Sequence, residues 1–187
     1  MAQLSDFEID INTKLLRATF LTNMAVLKKH MPELYEFYLN YTPTRAKLTF
    51  DHNGEVNIVS NTALVYDEFA KEKSYQQADL FLKQPKVFSY HLTRGLNFSF
   101  QHEHCLDEIY LKREAEVKDI HFNLLDRGEQ IDFISVIGIG LGYHLERLFE
   151  NSDIRYLFIH EPDPDMFYCA LHTIELGPMI NKCFSLG

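Results

Sequence analysis

The stretch Phe133-Ile134-Ser135-Val136-Ile137-Gly138-Ile139-Gly140-Leu141-Gly142-Tyr143-His144 decides the fold. Its first five residues form a β-branched apolar run, the pattern of a parallel strand buried on both faces. Three of the chain's eight glycines follow within five residues. A helical pattern then runs through Leu145, Leu148 and Phe149. Ile154 to Ile159 is a second apolar strand, ended by Glu161-Pro162-Asp163-Pro164. Asp165 to Ile174 returns to helical spacing through Met166, Phe167, Ala170 and Leu171. Strand, helix, strand, helix in that order is the start of a doubly wound, Rossmann-like sheet.

Upstream the pattern is different. Between Asn12 and Leu39, Leu16, Phe20, Met24, Leu27, Met31, Leu34 and Tyr38 recur at steps of three or four, one apolar helical stripe. Pro32 has no N–H to continue a helix, so the stripe divides into a long helix to about His30 and a short one to about Asn40. Leu48 and Phe50, then Val56 and Ile58, alternate with polar neighbours around Asp51-His52-Asn53-Gly54. Asn53-Gly54 supplies the positive φ angles of a hairpin turn. Ser60-Asn61 marks a second turn before the strand Ala63–Tyr66. Asp67 to about Lys83 reads as a helix. Val87 to Phe100 reads as an ordered loop or short strands, and Gln101 to Asp126 as a long helix stopped by Arg127-Gly128. The expected architecture is an α+β N-terminal domain over 1–128, helices plus a small antiparallel meander. An incomplete Rossmann-like βαβα unit follows over 129–187, the join falling at Gly128–Ile131.

The 187 residues, 46% hydrophobic and 24% charged, can bury about 70% of the unfolded surface, enough for a true core. The net charge of -9 excludes the basic face that a nucleic-acid binder needs. That excess is uneven: residues 129–187 carry 9 acidic side chains against Arg147, Arg155 and Lys182. An anion bound there would rely on backbone N–H groups. No apolar run approaches the ~20 residues of a membrane span, and the N-terminus lacks the basic and apolar regions of a signal peptide. Cys105, Cys169 and Cys183 are odd in number and unpatterned, which fits reduced thiols in a cytosolic protein.

The glycine stretch is the candidate ligand site. Gly138, Gly140 and Gly142 would let backbone approach a ligand and leave the next helix N-terminus open to an anion. Tyr143 and His144 open that helix, and His144 could polarise a phosphate or move a proton. Glu161 lies 23 positions after Gly138, close to the ~20 at which nucleotide folds place an acid for the ribose. Asp163 follows it, with His160 before. The spacing is not that of dinucleotide sites but is closer to the Gly-x-Gly-x-Gly of S-adenosylmethionine-dependent methyltransferases, whose usual acid position is here Val136. Tight strand–helix packing is the alternative use of the same glycines. A nucleotide- or S-adenosylmethionine-binding enzyme is therefore one reading of this turn. Asp163-Pro164-Asp165 reads as a helix N-cap. His102-x-His104-Cys105 is a poor zinc set, because residues two apart on a helix point to different sides. No residue is assigned a catalytic or metal-binding role.

Ile137 to Leu145, His160-Glu161-Pro162-Asp163 and Met166-Phe167-Tyr168 resemble the motility accessory factor (Maf) family, the flagellin glycosyltransferases of polar-flagellated bacteria. Asn23-Met24, Leu27 to Tyr35, and Asn53-Gly54 with Asn57-Ile58 are also similar to that family. The resemblance covers about residue 15 to the end. It implies a large bacterial cytoplasmic protein whose central domain has 6-hydroxymethylpterin diphosphokinase-like and sialyltransferase-like relatives. That domain would transfer a nonulosonic acid, such as pseudaminic or legionaminic acid, from a CMP-sugar to Ser/Thr of flagellin. It normally follows the matched region, and family members continue beyond Phe184-Ser185-Leu186-Gly187. The resemblance thus implies an N-terminal scaffold or acceptor-docking part with flagellin as partner and no transfer on its own. It leaves a homo-oligomer open.

Overall fold

Ser5 starts the first helix. Its hydroxyl accepts the Glu8 N–H at 3.3 Å while the Glu8 carboxylate accepts the Ser5 N–H at 2.8 Å, a reciprocal cap that satisfies two otherwise orphaned donors. In this computed structural model, which describes residues 5–84 and 130–186, helix α1 runs Asp6–His30. Its last turn holds Lys28, Lys29 and His30, the charge sign that the helix C-terminus favours. Pro32 sits in the first turn of α2 (Pro32–Leu39), so the predicted break falls where expected.

Three antiparallel strands follow, β1 (Ala46–Phe50), β2 (Val56–Ser60) and β3 (Ala63–Leu64). Phe50 pairs with Val56 and Leu48 with Ile58. In the β1–β2 turn only Gly54 takes a positive φ; Asp51 Oδ1 accepts the N–H groups of Asn53 (2.8 Å) and Glu55 (3.0 Å) and holds the loop shut. Positive φ at both central residues, the requirement of a type I′ turn, occurs instead at Asn61 (50°) and Thr62 (72°) between the paired Ser60 and Ala63. Helix α3 spans Ala70–Lys83. The loop, strand and helix expected between Val87 and Asp126, with His102, His104 and Cys105, lie outside the described residues.

The second half begins with β4 (Gln130–Ile137), continues through α4 (Tyr143–Asn151) to β5 (Asp153–His160), and ends in α5 (Pro164–Thr173) and α6 (Leu176–Leu186). β4 and β5 are parallel, with Ile134 opposite Leu157 and Val136 opposite Ile159. Helix α6 was not expected from the sequence. Pro178 stands in its first turn, where a missing N–H costs nothing. The fold is thus α+β: helices, a small antiparallel sheet and a two-stranded parallel sheet.

One expectation is corrected. The two parallel strands are not buried on both faces. Ile134, Val136, Leu157 and Ile159 point inward, but Phe133 is 62% exposed, Ile137 82%, Tyr156 52% and Phe158 53%. Among the described residues only one face of the apolar run is covered, with α6 packed against β5.

Residues 5–84 and 130–186 share one compact unit. Helix α1 packs on α2, α5 and α6; α3 packs on α4; and α5 meets β1. Leu27, Ile58, Ile139, Leu141, Leu145, Ile154, Leu171 and Ile174 are fully buried between them. Two polar side chains fix the joints. Asn23 on α1 is completely buried. Its amide donates to the carbonyls of Leu171 (2.8 Å) and Ile174 (2.7 Å), and its oxygen accepts the Leu176 N–H (2.9 Å), so one side chain closes the α5–α6 corner.

Asp165 on α5 is 1% exposed. It accepts the Tyr41 hydroxyl and the N–H groups of Thr44 (3.0 Å), Arg45 (2.5 Å) and Ala46 (3.0 Å), pinning the start of β1. Burial pushes this carboxyl up, but the Tyr41 hydroxyl and the three amides outweigh it and bring it down to about 2. Its stabilising effect is therefore present above the unfolded carboxyl pKa and disappears as pH falls toward 2. Wild-type stability is expected to drop by about 2 kcal/mol through this group between roughly pH 4 and 2. Urea titrations of wild type and Asp165→Asn across that range check it: the variant starts lower and loses this part of the acid slope. Parallel slopes would rule the group out.

Candidate functional site

The glycine stretch forms a turn at the carboxyl end of β4. All three glycines take positive φ, 80° at Gly138, 51° at Gly140 and 78° at Gly142, which side-chain-bearing residues adopt only with strain. Gly138 N–H donates to the His160 carbonyl at 2.9 Å and continues the ladder between the strands. Gly142 N–H donates to the Ile139 carbonyl at 2.8 Å, closing the turn on itself.

The remaining contacts come from outside the turn. Glu161 reaches back from the end of β5. Its Oε2 accepts the Ile139 N–H at 2.8 Å and its Oε1 accepts the Asp163 N–H at 2.9 Å. The Tyr66 hydroxyl accepts the Leu141 N–H at 3.2 Å, and the Thr173 hydroxyl donates to the Leu141 carbonyl at 2.6 Å. Tyr66 is itself held by buried Asn57, whose amide donates to the Tyr66 carbonyl at 2.8 Å and whose oxygen accepts the Tyr66 N–H at 3.3 Å. A methyl group on Gly140 would lie 2.1 Å from the Tyr66 hydroxyl oxygen, and one on Gly142 would lie 2.4 Å from Ile174 Cδ1. A methyl on Gly138 would meet nothing closer than Glu161 Oε2 at 4.0 Å.

Gly138, Gly140, Gly142, Glu161 and Asp163 therefore converge at the carboxyl ends of the parallel strands, as the spacing predicts. Asp163 accepts the Asp165 N–H at 3.0 Å and caps α5, with Arg45 at 3.1 Å on the same oxygen. Tyr143 is 8% exposed, with Lys71 Nζ 5.3 Å above its ring. Burial, with Glu146 and Glu55 nearby, pushes its hydroxyl well above the usual range. Burial lowers the pKa of His144, so its imidazole is neutral at pH 7. Tyr66, Asn57 and Thr173 are the site residues that local spacing could not reveal. Asn57 is on β2, Thr173 ends α5, and Tyr66 lies two residues past β3, which stops at Leu64 rather than reaching Tyr66 as the sequence pattern suggests.

Of the turn's N–H groups, those of Gly138, Ile139, Leu141 and Gly142 are engaged by protein acceptors. The geometry is that of a clasp in which Glu161 and Tyr66 occupy the N–H groups of Ile139 and Leu141. Among the described residues no His, Cys, Asp and Glu cluster has the arrangement to hold a metal ion. A cleft of about 530 Å³, lined by Lys71, Tyr75, Glu146, Phe149, Thr173 and Lys182 among others, touches the clasp at Thr173.

The family model for the glycosyltransferase Maf N-terminal domain matches residues 19–186. The chain belongs to the Maf N-terminal domain family. A solved structure, the Maf glycosyltransferase from Magnetospirillum magneticum AMB-1, has the same fold with a TM-score of 0.57 at 21% identity. The match covers 91% of this chain and 26% of that one. None of the curated proteins matches in sequence. In this Maf domain the clasp ties together the segment after β3 through Tyr66, the end of β5 through Glu161, and α5 through Thr173. No described helix is long and apolar enough to cross a membrane.

Proposed function

We propose that this Maf domain is the N-terminal scaffold of a flagellin glycosyltransferase in the bacterial cytoplasm. Another domain transfers a nonulosonic acid from a CMP-sugar to flagellin Ser/Thr, and this domain positions it or docks the acceptor. On this reading β4, α4 and β5 begin a Rossmann-like sheet, and the glycine turn is a packing joint rather than a donor site. The observation that supports the joint reading is the clasp, since Glu161 and Tyr66 take up the N–H groups of Ile139 and Leu141 and brace the turn with the protein's own side chains. Family membership supports the glycosyltransferase setting.

Two measurements test it. Disrupting the gene is expected to leave flagellin lighter by the mass of the sugar; unchanged flagellin would sink the flagellin reading. Separately, CMP, S-adenosylmethionine and NAD at millimolar concentration are each expected to move the melting temperature by less than about 1 °C. A ligand held at 100 times its Kd would add about 2.7 kcal/mol, several degrees for a chain of this size. Such a shift, abolished by Gly140→Val, would make the turn a ligand site and overturn the joint reading.

A further inference from the structure

We draw no further inference here: the strongest candidate, the outward apolar stripe of α1 through the exposed Phe7, Ile11, Leu15 and Leu21, carries nothing because nothing among the described residues shows what covers it.

Discussion

Asn23→Ala is expected to destabilise the protein by about 3–5 kcal/mol, read as a fall of roughly 1–2 M in the urea midpoint. The side chain has no water contact and makes three hydrogen bonds, to Leu171, Ile174 and Leu176. Alanine removes all three partners at once and leaves two carbonyls and one N–H buried without replacement. Each such group costs about 1–3 kcal/mol, far more than the net value of a made bond. The apolar isostere Asn23→Leu should do no better, because the loss lies in the backbone groups it abandons rather than in volume. A loss under about 1 kcal/mol in Asn23→Ala would mean that water enters the corner and takes over the amide's role.

The clasp gives the second large effect, and it contains its own control. Gly140→Ala places a methyl 2.1 Å from the Tyr66 oxygen at a φ of 51°. Backbone strain of about 1–2 kcal/mol and overpacking of about 1–3 kcal/mol add to a loss of roughly 2–5 kcal/mol. Gly138→Ala carries the same kind of backbone strain with no clash, so it should cost about 1–2 kcal/mol. In Tyr66→Phe the clashing atom is gone and the nearest remaining one, the ring carbon that bore it, lies at 3.4 Å. The double variant Gly140→Ala/Tyr66→Phe should therefore cost less than the sum of its parts by at least about 1 kcal/mol. Chemical denaturation of the four proteins of the cycle measures it. Additivity within about 0.5 kcal/mol would show that the turn yields elsewhere and that Tyr66 does not brace it.

Local elements were legible because their signals are local. The Met31-Pro32 break, the alternation around Asp51–Gly54, the two β-branched runs and the helices after each need only neighbouring residues. The type I′ geometry went to Asn61-Thr62 rather than Asn53-Gly54, because Asp51 satisfies the first loop with its own carboxylate. Spacing places Glu161 near the glycines as a ribose ligand; in the structure its carboxylate grips an amide of the turn. Spacing fixes where an acid stands, not whether a ligand or the protein's own backbone occupies it. Asn23 left a legible trace, a polar residue set among Phe20, Met24 and Leu27 on one apolar stripe. Asp165 left less, since Asp163 explains the same Asp-Pro-Asp sequence as a cap. Tyr66 left none, because the amide it serves is 75 positions away. The exposed face of β4–β5 departs from the expected double burial for a related reason: composition reports what a strand is suited to pack against, not what lies against it.

The Asn23 corner also sets a clock on synthesis. Its partners lie 148 to 153 positions downstream. A ribosome adding about 5–20 residues per second needs roughly 8–30 s to supply them. Until then α1 has α2 to pack on but neither α5 nor α6, so Phe20, Met24 and Leu27 lack those partners. The Tyr41–Asp165 contact waits almost as long, across 124 positions. The amino-terminal helices therefore cannot finish folding as they emerge. A nascent chain stalled before residue 165 should be sensitive to protease and bind hydrophobic chaperones, and one stalled after the corner has left the exit tunnel should not.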